Sequence, residues 1–127
     1  MKYLLFICFL CAVGCEILEE DISGREVSIV SPADRITVSP GDIDFRWQGV
    51  EAATGYEFTV VSPSFDAAER LVIDTVIYAD SLGRRFGCRV ALDEGEYEWS
   101  VRGFNPAYET RTAVRSLRVQ PGKSDTE

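Results

Sequence analysis

From Glu26 to Val119 apolar and polar positions alternate along the chain. A period of two is the mark of a strand that buries one face and wets the other. The alternation predicts strands over residues 27–30, with a short continuation at 36–38, and then over 43–48, 56–61, 70–78, 85–92, 96–103 and 112–119. Ile43, Phe45 and Trp47 share one face of their strand, as do Tyr56, Phe58 and Val60, and Tyr97, Trp99 and Val101. Ser31-Pro32-Ala33-Asp34 and Ser39-Pro40-Gly41-Asp42 supply turn chemistry between strands, and a further turn is expected at Asp80 to Gly83. The stretch Ser62 to Glu69 predicts a loop with room for one helical turn, and Val114 falls out of phase with Leu117 and Val119, which predicts a bulge. No segment sustains a helical period. Seven short strands separated by turns therefore predict an all-β sandwich over residues 26–119, with Trp47, Tyr97 and Trp99 in its core.

Ahead of Glu26 the pattern changes character. Lys2 is followed by an apolar run from Tyr3 to Val13, shorter than the roughly 20 residues a membrane span requires and suited to the core of a secretory signal. The run ends in Ala12-Val13-Gly14-Cys15, which resembles the bacterial lipobox. That resemblance implies a signal peptide over residues 1–14 and a mature N-terminus at Cys15, whose thiol carries diacylglycerol and further acyl chains such as palmitate. Two or more long chains hold a protein stably at a bilayer where one does not. Residues 15–25 read as an acidic tether. The cluster Glu16, Glu19, Glu20 and Asp21 resembles the surface-export signal of Bacteroidetes lipoproteins, which implies an outer-membrane location. Cys8 and Cys11 fall inside the apolar run, so Cys15 and Cys88 alone remain and no disulfide framework is available. Residues 120–127 read as a disordered tail.

Charge and residue inventory narrow the chemistry. The formal net charge is −8, and loss of Lys2 with the leader makes the remainder more negative, which argues against nucleic acid as a partner. The chain has no histidine. This removes the commonest general base and the commonest neutral metal ligand, and excludes Ser-His and Cys-His nucleophile schemes. Cys88 lies on the apolar face of its strand with Phe86, Val90 and Leu92, the setting of a small hydrophobe rather than a nucleophile. Asp42 and Asp44 share an outward face, but a strand face is no pocket and Arg46 follows on the same side. Glu96, Glu98 and Arg102 line another outward face, where they can meet Glu57 and either Arg115 or Arg118 as cross-strand ion pairs. No catalytic residue, metal site or cofactor is expected.

The segment Leu92-Asp93-Glu94-Gly95-Glu96-Tyr97-Glu98-Trp99-Ser100-Val101-Arg102-Gly103-Phe104-Asn105 resembles the E-to-F corner and the F strand of fibronectin type III domains. Phe45-x-Trp47, Ala52, Ala53 and Tyr56-x-Phe58-x-Val60 resemble the B and C strands of that family. The resemblance implies an immunoglobulin-like, fibronectin type III-like sandwich in which Tyr97 makes the tyrosine corner. Trp99 is a second tryptophan of the kind associated with bacterial surface lipoproteins of this fold. Recognition residues on such sandwiches sit on the end loops. The loop from Phe104 to Arg111 offers Asn105, Tyr108 and Arg111 as candidate binding residues, and the turn from Asp80 to Arg85 is expected at the opposite end. The expected function is a lipid-anchored, non-enzymatic binding or spacer module at the cell envelope, whose partner beyond the membrane is a protein or glycan. A glycan-binding accessory lipoprotein requires Tyr108 or Phe65 exposed in a groove. A carboxylate-dependent hydrolase requires two acids facing across a cleft, about 5 to 9.5 Å apart.

Overall fold

Alternating side chains produce strands wherever a second sheet is present to cover the apolar face, and the computed structural model, which describes residues 19–79 and 85–122, contains two such sheets. The strands are β1 (Ser28–Ser31), β2 (Ile36–Val38), β3 (Gly41–Gln48), β4 (Gly55–Ser62), β5 (Arg70–Tyr78), β6 (Arg85–Leu92), β7 (Gly95–Phe104) and β8 (Ala113–Val119). One sheet runs β1-β3-β6 and the other β2-β8-β7-β4-β5. All pairings are antiparallel except β2 with β8. Eight strands appear among the described residues where the sequence predicts seven, because the two halves of the first strand join opposite sheets. β1 pairs with β3, the chain turns through Pro32 and Arg35, the latter at φ 63, and β2 pairs with β8. Pro32 has no N–H to continue the first ladder. β5 settles the middle of the topology by pairing with β4 rather than entering the sheet of β3 and β6.

The two sheets close over an aromatic interior. Phe45, Trp47, Tyr56, Phe58, Tyr97 and Trp99 are all fully or almost fully buried. Trp47 stacks on Phe58 at 5.6 Å, and Phe45 meets Trp99 edge-on at 4.8 Å. Each such side chain contributes roughly 1.5–3 kcal/mol on burial, so the indoles lie where the alternation predicts and hold the sheets together. Their N–H groups meet no acceptor among the described residues, which offsets part of that gain. The tyrosine corner is present: Tyr97 donates its hydroxyl proton to the Asp93 carbonyl at 2.8 Å and accepts from Arg70 at 3.2 Å. Gly95, at φ +156, makes the turn ahead of it.

Four sequence expectations are corrected. Val114 makes no bulge: the β7–β8 register runs unbroken from Gly95 opposite Val119 to Val101 opposite Ala113, and Val114 simply faces outward, 43% exposed. The loop after β4 contains no helical turn, being held instead by bonds from the Glu69 amide to the Ser62 carbonyl and from the Phe65 amide to Glu98. The acidic tether is not free along its described part. Ile22 is fully buried and the Arg111 amide bonds the Arg25 carbonyl, so the segment docks on the sandwich before β1 begins. The flanks of the segment from Asp80 to Arg85 also stand at the other end from the one expected. Residues 80–84 lie outside the described residues, but Tyr78 pairs with Gly55, Gly55 with Phe104, and Phe86 packs on Tyr56 at 4.8 Å. Both flanks therefore stand at the same end as the β7–β8 loop.

Candidate functional site

The β7–β8 loop is shaped by Asn105. Its Oδ1 accepts from the amides of Ala107 (3.0 Å) and Tyr108 (2.8 Å), and its Nδ2 donates to the carbonyls of Glu20 (2.9 Å) and Ala52 (3.2 Å). Every one of these bonds is internal, and the side chain is buried. Asn105 therefore fastens three segments together and has little left to offer a ligand. Arg111 contributes its backbone, through an amide bond to Arg25 and a bridge to Glu26, and does not line the concavity beside the loop. Of the three loop residues singled out from sequence, Asn105 and Tyr108 line that concavity, Asn105 buried with its polar atoms engaged and Tyr108 36% exposed. Cys15 lies outside the described residues.

The concavity is a depression of about 650 Å³ on the outer face of the five-stranded sheet. Sheet register places the strand part of its lining, Val76, Glu57, Arg102 and Phe104, and sets Tyr78 beside it. Tyr78, Gly55 and Phe104 stand side by side on β5, β4 and β7, and two residues along the strands Val76, Glu57 and Arg102 form the next row. Gly55 has no side chain, and the ring of Phe104 takes the vacant space: a Cβ at Gly55 would lie 2.7 Å from it. Phe104 there meets Tyr78 edge-on, with centroids 6.3 Å apart. Tyr78 is 72% exposed. In the second row Arg102 bonds Glu57 through one terminal nitrogen and Glu109 through the other, the latter at 3.2 Å. Exposed pairs of this kind contribute about 0–1 kcal/mol each, and their main effect is to fix the polar floor beside the aromatic row. A third row follows, Asp74, Thr59 and Ser100, with the Thr59 hydroxyl bonded to Asp74 at 3.0 Å.

The sequence shows the pairing of Glu57 with Arg102, and the structure also pairs Glu96 with Arg118 at 3.1 Å rather than with Arg115. Sequence reasoning misses Tyr78, Phe104 and Glu109 as members of one surface. Their only signal is the outward phase of Tyr78 and Phe104, and that phase acquires meaning once β5 is known to lie beside β4.

Other candidates do not converge. Phe65 is 39% exposed but is not among the residues lining the second depression, of about 400 Å³, between Pro63, Ser64, Glu96, Glu98 and Arg118. Asp44 is held by Arg89 at 2.8 Å, with Arg46 nearby at 3.7 Å. The Arg89 bond holds its carboxyl below the usual carboxylate range, the opposite of what a general acid needs. Burial pushes the Cys88 thiol up, which disfavours the nucleophilic thiolate. Among the described residues no group of His, Cys, Asp and Glu is arranged to hold a metal ion, and no helix is long and apolar enough to cross a membrane.

No family model and no curated protein sequence matches the chain. Solved structures do. A fibronectin type III domain of the human KIAA0970 protein is similar with a TM-score of 0.51 at 11% identity, over 83% of this chain and 79% of that one. The fibronectin type III domain of human collagen α-1(XX) gives 0.50 at 18% identity, over 87% and 95%. A part of the multi-modular, cell-surface-expressed chitinase ChiW of Paenibacillus sp. str. FPU-7 gives 0.51 at 16% identity, over 87% of this chain and 10% of that one. The fold of this chain is accordingly a fibronectin type III-like, immunoglobulin-like β-sandwich.

Proposed function

We propose that the chain is a non-enzymatic recognition or spacing module of the bacterial cell envelope, held at the outer membrane by lipid on Cys15. The observation that carries the recognition half is the open depression on the sheet face, where exposed aromatic rings stand beside charged groups already paired with one another. Such a surface can bind, and nothing in it is poised to transfer a proton. The two carboxylates that share the depression, Glu57 and Glu109, are both bonded to Arg102, whereas glycoside hydrolysis needs an acid and a base with a substrate bond between them. Asp42 and Asp44, the other paired acids, sit on an open strand with Asp44 tied to Arg89. The anchoring half rests on Ala12-Val13-Gly14-Cys15 and the short apolar run ahead of it.

Mass spectrometry of the mature N-terminus tests the anchor. The expected spectrum begins at Cys15 and carries the mass of diacylglycerol. Cleavage elsewhere, or an unmodified Cys15 in the membrane fraction, refutes it. The part of ChiW that this chain resembles is one segment of a larger cell-surface enzyme, which supports a modular role by analogy of fold alone.

A further inference from the structure

We propose that the depression beside Tyr108 is a carbohydrate site that takes an uncharged polysaccharide lying across β5, β4 and β7. The proposal rests on the recognition reading above and names its ligand class. Three features of the sheet face carry it. The first is the aromatic row: Phe104 and Tyr108 line the depression, and Tyr78, standing beside it, meets Phe104 edge-on at 6.3 Å. A pyranose presents a face of polarised C–H bonds, and the negative face of an aromatic ring attracts such partial positive charge.

The second feature is the arrangement of polar groups. Glu57 and Arg102 stand in the next row of the sheet, two residues along the strands from Gly55 and Phe104 and therefore about 6.8 Å away, and Glu109 reaches Arg102 from the loop. Hydroxyls stacked on the aromatic row meet donors and acceptors whose positions the Arg102 ion pairs already fix. Preorganisation of this kind limits the ordering cost of binding. The third feature is charge. Glu57 and Glu109 line the depression with Arg102 as their counter-ion, and the chain as a whole is at −8, so a polyanion is repelled and an uncharged chain is not. The open shape suits a polymer passing through rather than a small molecule enclosed.

Retardation of the purified full-length protein, in detergent, through non-denaturing gels containing mannan, xyloglucan, galactomannan, laminarin or starch tests the site, with alginate as the acidic control. At least one neutral polysaccharide is expected to retard the protein, and alginate is not. Tyr78→Ala and Tyr108→Ala should each weaken retardation by about tenfold, the loss typical of an exposed aromatic anchor, while Phe65→Ala, an exposed aromatic in contact with neither the depression nor the pair of Tyr78 and Phe104, leaves it unchanged. Equal thermal unfolding midpoints for the variants exclude a folding artefact. No retardation in any neutral gel, or retardation that survives the Tyr78→Ala/Tyr108→Ala double variant, overturns the proposal. Lipidation of Cys15 is read separately by mass, so loss of the sugar site leaves the anchor standing, and the reverse.

Discussion

Gly55 and Phe104 show how a single residue sets the character of a surface. A side chain at Gly55 would collide with the Phe104 ring, so the missing Cβ is what lets the tip of that ring reach over β4 beside Tyr78. Cys88 illustrates the opposite situation, a reactive group that its position silences. It faces the interior of the three-stranded sheet, and burial raises its pKa. A folded pKa above the unfolded one favours the protonated thiol in the native state. Its stabilisation is complete below the unfolded pKa and is lost as pH rises through the folded value. Iodoacetamide should therefore modify Cys88 more slowly in the folded protein than in urea at pH 8, with the gap narrowing as pH increases. Equal rates at pH 8 would contradict the burial of this thiol.

At the scale of elements, the strands follow local alternation while the loops depend on partners far away in sequence. Asn105 ends β7 and bonds Glu20, Ala52, Ala107 and Tyr108, tying the β7–β8 loop to the β3–β4 loop and to the segment before β1. Asn105→Ala strands two of those carbonyls in a buried setting and should cost about 1–3 kcal/mol, measured by urea unfolding. It should also accelerate amide exchange at Tyr108 and Ala107 ahead of the strands. Exchange that remains unchanged there would mean that the loop is shaped by something other than this side chain. The corrected bulge at Val114 has a similar origin. An exposed valine is ordinary on a protein surface, and sequence phase alone gives it more weight than the sheet does.

At the scale of the whole molecule, the fold has a direction. The segment leading into β1 docks against the β7–β8 loop, whereas the chain leaves the sandwich at the opposite end, where the Gln120 amide bonds Val38. If lipid is attached at Cys15, the chain from there to Glu20 spans at most about 17 Å, so the end bearing Tyr108 stands close to the bilayer. In a Cys88→Ser background, a fluorophore on Ala107→Cys should be quenched by headgroup-labelled lipid more strongly than one on Gln120→Cys. The reverse order would show that the domain stands the other way up.

Alternation along the chain by itself determined where the strands lie, which side chains face inward, and that Trp47, Tyr97 and Trp99 share one core. These are properties of neighbouring residues, whose orientation on a strand reverses at every step. Tertiary structure alone decided that β5 joins β4, that the two halves of the first strand enter different sheets, and that Ile22 belongs to the domain. It also decided that Tyr78, Phe104 and Tyr108 gather on one face. Those outcomes depend on hydrogen-bonded pairing between segments separated by tens of residues, and a periodic pattern carries no record of which partner a strand will choose.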